Sequence, residues 1–176
     1  NNEILLKKVK KNNPNSYIIY KSHPDVNSGN RKGHLSDEFL NKFCNLSLKD
    51  TDIFSLISMV DEVHTITSLV GFEALLQGKK VFTYGLPFYS GWGLTQDKIS
   101  CQRRKRKLSL CELVAGVLIL YPRYIDPINF DYCKPDLLVR RIKEKNYLIK
   151  KNRNLKAFYK VRNFIIRLLQ RIFIKK

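Results

Sequence analysis

The residues best suited to hold an anionic ligand fall in two short clusters, Lys21-Ser22-His23-Pro24-Asp25 and Thr65-Ile66-Thr67-Ser68-Leu69-Val70-Gly71-Phe72-Glu73-Ala74. In the first, Pro24 keeps His23 extended, so the imidazole can project from a strand end and donate to a phosphate oxygen. A histidine satisfied by a nearby backbone carbonyl is the simpler reading of that dipeptide alone. In the second, Ser68 is a natural N-cap, and a helix N-terminus offers free N–H groups to an anion. Glu73 lies five residues further, about 7.5 Å along a helix axis. That spacing suits a pyrimidine nucleotide whose phosphate meets Ser68 and whose ribose hydroxyls meet Glu73. The alternative makes Ser68 a plain cap and Glu73 a solvated helix residue. Gly71 weighs against it, because a glycine inside a helix costs about 1 kcal/mol relative to alanine and signals close packing.

The elements that must position these clusters alternate along the chain. Glu3 to Lys11 has apolar residues at Ile4, Leu5, Leu6 and Val9, a helical spacing that Pro14 stops. Tyr17 to Tyr20 is an aromatic and β-branched run, expected as a strand, and the polar loop Asp25 to Gly33 comes after it. A weaker strand is expected near Phe43 to Leu46, and Asp52 can cap a helix through Met59. Glu62 to Ile66 is the next expected strand, Leu69 to Gln77 a helix, Gly78 its stop, and Lys80 to Tyr84 another strand. Strands separated by helical runs imply crossover connections and a parallel sheet, an α/β fold whose ligands sit beyond the carboxyl ends of the strands. Pro87 to Thr95 is a glycine-rich loop, Leu110 to Leu120 is expected as a buried helix, and Pro122 and Pro127 interrupt regular structure beyond it.

Charge and composition bound the function classes. The chain has 176 residues, a length that suits one real core, and an ordinary apolar share of 44% that excludes a disordered chain. The net charge is +18. From Lys134 to Lys176, fifteen Lys or Arg face two acids, so +13 of it belongs to a tail and bears little on the fold. Residues 1–133 are therefore expected as one lobe and residues 134–176 as a basic helical tail. Cys44, Cys101, Cys111 and Cys133 form no C-x-x-C pair and no zinc-site spacing with His. They are expected as reduced thiols in a cytoplasmic protein, with no metal and no cofactor. No apolar run reaches the roughly 18 residues of a membrane span. No signal peptide is visible, and the chain opens on Asn1, which suits a fragment.

Four ordered motifs carry a resemblance. K-S-H-P-D-V-x-S-G-N-R-K-G, H-T-I-T-S-L-V-G-F-E-A-L-L-Q-G-K-K-V, P-F-Y-S-G-W-G-L-T and L-V-A-G-V-L-I-L-Y-P-R-Y-I-D-P occur in that order, from roughly Glu3 to Pro127. Together they resemble the capsule polysaccharide biosynthesis and export family, and most of all its KpsC-type β-Kdo transferases. The resemblance implies one Rossmann-like lobe of a two-lobed, GT-B-like glycosyltransferase. Such an enzyme transfers Kdo from CMP-Kdo to a lipid-linked glycan acceptor, building a poly-Kdo linker at the cytoplasmic face of the inner membrane. By the same similarity His23 and Pro24 match the family's phosphate-contacting His-Pro motif, Thr67 and Ser68 its phosphate-binding hydroxyls, and Glu73 its nucleotide-contacting acid.

Further residues make physical sense beside that resemblance. CMP-Kdo presents a carboxylate and a phosphate, and Lys21, Arg31 and Lys32 are placed to help hold them; a solvated basic turn explains the last two as well. Tyr89 and Trp92 can cover the base or sugar while Gly91 and Gly93 let the loop close, although an aromatic loop is as often core packing. Arg123 and Asp126 are expected to lock the chain after the Leu110 helix. The family's first lobe should carry the acceptor contacts and the catalytic carboxylate, so this chain begins inside the second lobe and names no catalytic residue. Asp25 and Asp97 are candidates that more readily shape loops. Two rival classes remain. One is a non-catalytic interaction domain that meets a missing lobe or other capsule-export proteins. The other is a basic polyanion-binding protein acting through Arg103 to Lys107, although no nucleic-acid-binding fold accompanies that run. From Leu155, apolar residues recur at Phe158, Val161, Phe164, Ile165, Leu168, Leu169 and Ile172, a basic amphipathic helix suited to an anionic membrane surface or to a partner lobe.

Overall fold

The computed structural model describes residues 1–22, 35–49 and 51–151, with side chains described as far as Asn146. It divides into two compact units, Asn1–Leu113 and Val114–Lys176.

In the first unit, α1 (Asn2–Asn12) starts where the Asn1 side chain accepts from the Ile4 N–H at 3.0 Å. Leu6 and Val9 point inward and meet Ile18 and Leu40, with Leu5, Tyr20, Leu35, Phe39, Phe43, Cys44 and Tyr84 packed around them. Next come β1 (Ile19–Lys21), α2 (Asp37–Phe43) and β2 (Leu46–Leu48). β1 and β2 pair in parallel with Ile19 opposite Leu46, and the Asn45 side chain accepts from the Ile18 N–H at 2.9 Å. The strand expected over Phe43 to Leu46 is displaced, because Phe43 closes a helix instead. Ser36 caps that helix by accepting from the Phe39 N–H, Asp37 and Glu38 sit in its first turn, and Leu35, Phe39 and Phe43 recur at helical spacing.

The second half of this unit is a β-α-β crossover. α3 (Ile53–Ser58) is capped by Asp52, as expected, through the Ser55 N–H at 2.8 Å. β3 (Glu62–Thr65), β4 (Lys80–Thr83) and β5 (Gln96–Asp97) form a parallel sheet in that order, with Val63 opposite Val81 and Thr83 opposite Asp97. α4 (Val70–Leu76) connects β3 to β4, packs on both strands and on α3, and ends at Gly78, where φ is 70°. Phe72, Ala74 and Leu75 of α4 are buried, as are Thr65, Val81 and Thr83 at alternate strand positions. The other sheet face carries Glu62, His64, Lys80 and Phe82.

α5 (Leu110–Ala115) opens on a capping box that the sequence carries as Ser109-x-x-Glu112: the Glu112 carboxylate accepts from the Ser109 N–H at 2.8 Å, and the Ser109 hydroxyl accepts from the Glu112 N–H at 3.2 Å. The expectation of a buried helix from Leu110 to Leu120 is corrected. Only Leu113 is buried, the chain widens into a π-turn over Gly116–Leu120, and Leu120 is 80% exposed. One extra residue in a turn rotates the apolar stripe off a single helix face.

In the second unit, β6 (Tyr124–Ile125) and β7 (Tyr132–Cys133) form an antiparallel hairpin, followed by α6 (Pro135–Lys151) with proline in its first turn. The buried Asp126 organises the hairpin. Its carboxylate accepts from the Ile128 N–H at 2.9 Å and from Arg141 of α6 at 3.4 Å, and its carbonyl accepts from the N–H of Phe130, whose φ is 63°. Asp126 thus locks this segment, as its sequence setting suggested. The amphipathic run from Leu155 lies outside the described residues.

The tightest approach in the molecule lies inside α4. A Cβ built on Gly71 would sit 2.3 Å from the Tyr89 hydroxyl oxygen and 2.6 Å from the ring carbon bearing it. Gly71→Ala should therefore destabilise the fold by about 1–3 kcal/mol through overpacking, although alanine is favoured over glycine by about 1 kcal/mol in an open helix. Urea denaturation of the two proteins measures this; equal or higher stability of the variant would contradict the packing described.

Candidate functional site

The residues that the sequence singled out lie at the carboxyl ends of β1 and β3 and in the loop after β4. At the end of β1, the Lys21 ammonium donates to the Lys49 carbonyl at 2.7 Å and to the Ser22 carbonyl at 3.1 Å. It fastens β1 to the chain leaving β2, with two of its three protons engaged. His23, Pro24, Asp25, Arg31 and Lys32 lie outside the described residues.

At the end of β3 the chain turns through Ile66, Thr67 and Ser68 into α4. The Ser68 N–H donates to the buried Thr65 hydroxyl at 3.2 Å, and Thr67 is exposed. Ser68 is not the helix cap. Leu69 holds that position, already in helical geometry at φ −59° and ψ −25°, and no side chain caps it. The Ser68 hydroxyl only approaches the Val70 N–H, at 3.4 Å, while its carbonyl accepts from the Tyr89 hydroxyl and from the Gly71 N–H. Because Leu69 is helical, the serine hydroxyl falls short of the N–H groups one turn on. Glu73 lies in the first turn, half-buried, and its carboxylate has no hydrogen-bond or ion-pair partner among the described residues. A carboxylate in that position is free to accept from ligand hydroxyls.

The glycine-rich loop is built differently from a flexible cover. Tyr89 is fully buried, its ring between Phe72 and Phe88, and burial pushes its hydroxyl up to about 12. It belongs to the core, which corrects its expected place over a ligand. Trp92 is half-buried, donates its ring N–H to the Phe88 carbonyl at 2.8 Å, and lies with its ring 5.6 Å from the Arg104 guanidinium. Gly91 and Gly93 hold φ of 77° and 83°, a region closed to most residues with a Cβ.

Asp97 holds that loop in place. One carboxylate oxygen accepts from the Thr83 hydroxyl at 2.6 Å and the Thr95 hydroxyl at 2.7 Å, and the other accepts from the Gly91 N–H at 2.7 Å. Its oxygens are committed to the loop, so it shapes the backbone. Arg104, which sequence reasoning had grouped with an undivided basic run, turns inward and donates to the carbonyls of Pro87 and Ser90 and to the Ser90 hydroxyl. Arg106 pairs with Glu112 at 2.6 Å. Two of the five residues from Arg103 to Lys107 are thus engaged within the chain.

A further cluster, on the open face of the β3–β4 sheet, was not anticipated. His64 stacks on Phe82 at 4.5 Å between centroids, with Nδ1 3.2 Å from the Tyr84 hydroxyl and Nε2 3.3 Å from the Glu62 carboxylate. Burial lowers the pKa of His64, and the Lys80 hydrogen bond lowers that of Glu62. Each polar atom has a partner within the sheet, so the cluster is structural. No group of three or more His, Cys, Asp or Glu able to hold a metal occurs among the described residues.

The end of β3 and the first turn of α4 thus carry the Thr67 and Ser68 hydroxyls and a Glu73 carboxylate with no partner among the described residues. The model of a family described as capsule polysaccharide biosynthesis protein matches residues 1–124. The chain belongs to that family. It is 51% identical over 147 residues to the capsule polysaccharide modification protein LipA of Neisseria meningitidis, an alignment covering 81% of this chain and 21% of LipA. It is 50% identical over 124 residues to the lipopolysaccharide-processing protein LpsZ of Rhizobium meliloti, covering 70% of this chain and 28% of LpsZ. The chain thus spans between a fifth and a third of these relatives. Among solved structures, it resembles the β-Kdo 2,7 transferase of Thermosulfurimonas dismutans KpsC at TM-score 0.72 and 44% identity, over 82% of this chain and 46% of that one. It resembles the β-Kdo 2,4 transferase of the same KpsC at TM-score 0.66 and 33% identity, over 79% and 44%.

Loss of the Asp97 carboxylate should loosen the loop it holds. Asp97→Ala strands the Gly91 N–H and the buried Thr83 hydroxyl, a cost of about 1–3 kcal/mol for each group left unpaired. Asp97→Asn should cost less, because both threonine hydroxyls can turn to accept from the amide. Thermal denaturation followed at Trp92 ranks the two; an Ala variant as stable as wild type would remove Asp97 from this role.

Proposed function

We propose that this chain is the nucleotide-sugar-binding lobe of a GT-B-like glycosyltransferase that moves Kdo from CMP-Kdo to a lipid-linked glycan acceptor, extending a poly-Kdo linker. The observation that carries the reading is the Glu73 carboxylate, which has no partner among the described residues, in the first turn of α4 beyond Thr67 and Ser68. It stands in a chain 44% identical to a solved β-Kdo transferase. In this reading Glu73 accepts from the ribose hydroxyls, while Thr67, Ser68 and the His23-Pro24 pair face the phosphate. Lys21, Arg31 and Lys32 supply positive charge for the phosphate and the sugar carboxylate. Trp92, with Gly91 and Gly93, borders the sugar as a fixed wall. Residues 1–133 form the binding lobe. Transfer itself requires groups from an acceptor lobe, since rate depends on orienting donor and acceptor in a closed, water-poor cleft. The internal engagement of Arg104 and Arg106 weighs against a general polyanion-binding role for the basic run.

Selectivity for the nucleotide tests this site. Calorimetric titration with CMP, UMP and ADP should give tightest binding for CMP, weakened about tenfold or more by Glu73→Ala, as expected for a charge-assisted contact of roughly 1.5–3 kcal/mol. Equal affinities, or no effect of the substitution, would sink the assignment.

The setting we propose is the cytoplasmic face of the inner membrane. No helix among the described residues is long and apolar enough to cross a bilayer. The sequence from Leu155 to Ile172 repeats apolar residues at helical spacing among Lys and Arg, a pattern that as a helix would suit lying in an anionic surface, each basic residue adding about 1 kcal/mol. Removing residues after Asn154 should abolish cosedimentation with phosphatidylglycerol vesicles, and high salt should weaken it only in part. Equal binding by the truncated chain would disprove the attachment.

A further inference from the structure

A pocket of about 580 Å³ opens behind the glycine-rich loop, lined by Gly91, Gly93, Lys98, Arg104, Lys105 and Lys107 among others. Its charge balance is unusual. Asp97 and Arg106 also line it, but the Asp97 oxygens are taken up by Thr83, Thr95 and the Gly91 N–H, and Arg106 is paired with Glu112. Among the described lining residues, four cations (Lys98, Arg104, Lys105 and Lys107) then outnumber the single Asp97 carboxylate. The Arg104 guanidinium donates to two carbonyls and a hydroxyl, neutral groups that hold it in place and cancel none of its charge. Lys98 has its ammonium 5.5 Å from the Phe82 ring centroid, again without an acid. Lys105 and Lys107 are exposed and pair with no acid among the described residues.

The backbone explains why these cations converge. Both glycines lack a Cβ where side-chain stems lie across them. A Cβ on Gly91 would meet Arg104 carbons at 3.2 Å, and one on Gly93 would meet the Lys107 stem at 3.4 Å. Apolar stems laid on glycine leave the charged heads at the rim. Lys98 adds to the lining from the end of β5, with its ammonium over the Phe82 ring, so Arg104, Lys105 and Lys107 supply the charge beside the glycines. A long polyanion prefers a stripe of cations that tracks its backbone; a concave group with low-dielectric walls focuses its field on one small anion.

We propose that this pocket is a second anion site, separate from the Thr67–Glu73 strand ends, which takes a single compact oxyanion group: the carboxylate of an acidic sugar or a phosphate monoester. It shares Gly91 and Gly93 with the wall proposed to border the sugar, but its cations are none of Lys21, Arg31 and Lys32, and it uses neither Thr67, Ser68 nor Glu73. Lys105 and Lys107 contact the anion through solvent-facing ammonium groups, and Arg104 supplies a fixed positive wall.

Trp92 is the one tryptophan in the chain and lies beside Arg104, so its fluorescence senses an anion held here, and substitution of Lys105 and Lys107 separates that signal from a sugar at the proposed donor site. The protein would be titrated with free Kdo, a carboxylate, in one arm and with glycerol 3-phosphate in the other. A saturable change in emission with either probe is expected, and the arm that responds identifies the chemistry. Lys105→Gln/Lys107→Gln should weaken it by about tenfold or more, as loss of charge-assisted contacts implies. Lys8→Gln/Lys11→Gln, on the exposed side of α1, should leave it unchanged. CMP binding, measured by calorimetry, should survive in the pocket variant, which separates failure here from failure of the nucleotide site. The proposal is overturned if neither probe gives saturation, if the pocket variant responds like wild type, or if an oligothymidylate binds more tightly than both small anions.

Discussion

Tyr89 occupies the space that any side chain at Gly71 would fill, and much of the first unit's second half hangs on that contact. The phenol ring lies between Phe72 of α4 and Phe88 of the adjoining loop, and its hydroxyl donates to the Ser68 carbonyl at the turn into α4. One residue thereby fixes the start of a helix relative to a loop about twenty residues further along the chain. Burial raises the hydroxyl's pKa far above neutrality, so the donor keeps its proton throughout the physiological range. With the turn pinned by its carbonyl, the exposed Thr67 and the half-buried Glu73 are presented from a rigid frame.

Polar groups inside this unit act as fasteners for backbone, and the separation between fasteners and free groups is what delimits the candidate sites. Asp97, Arg104, Lys21 and Asn45 all satisfy main-chain or hydroxyl partners. Glu73 has none among the described residues. Glu73 is only half-buried and no buried side-chain polar atom among the described residues lacks a partner, so its carboxylate stays hydrated and open to other contacts. The stiffness of the glycine loop has the same origin: positive φ at Gly91 and Gly93 is held by hydrogen bonds at both ends, so the loop acts as a wall.

Much of this architecture was legible in the residues. Asn1 through Val9, Asp52 and the Leu69–Gly78 run announce their helices through caps, period and stop, and the parallel sheet is implied by helical runs lying between β-branched strands. α2 was missed although Ser36, Asp37, Glu38 and the Leu35-Phe39-Phe43 spacing carry its signal, because its short helix adjoins a β-prone stretch. Ser68 was misjudged for a subtler reason. Its suitability as a cap depends on the dihedral angles of Leu69, which are set by the Tyr89 contact from outside the segment. Thr83 and Arg104 gave no local sign of their roles: a threonine in a strand resembles a valine, and an arginine among basic neighbours resembles surface charge. The π-turn at Gly116 shifts the apolar stripe by one residue, which no periodicity that assumes a regular helix anticipates.

Most of the bonds that organise the stretch from Asp52 to Lys98 close within it, with Arg104 and the Leu108 N–H reaching back to the glycine loop from beyond. β3 pairs with β4, β4 with β5, Thr83 with Asp97, and Tyr89 with Ser68, each across a short span of sequence. Chain closure over short loops is entropically cheap and fast. This half of the unit therefore needs few contacts from distant sequence to assemble. The β1–β2 pair, whose strands bracket the residues from Ser22 to Asn45, closes a separate ladder of its own. Arg104 then reaches the glycine loop from outside the stretch from Asp52 to Lys98 and ties down its Pro87 and Ser90 carbonyls, so the same cation that charges the loop also completes it.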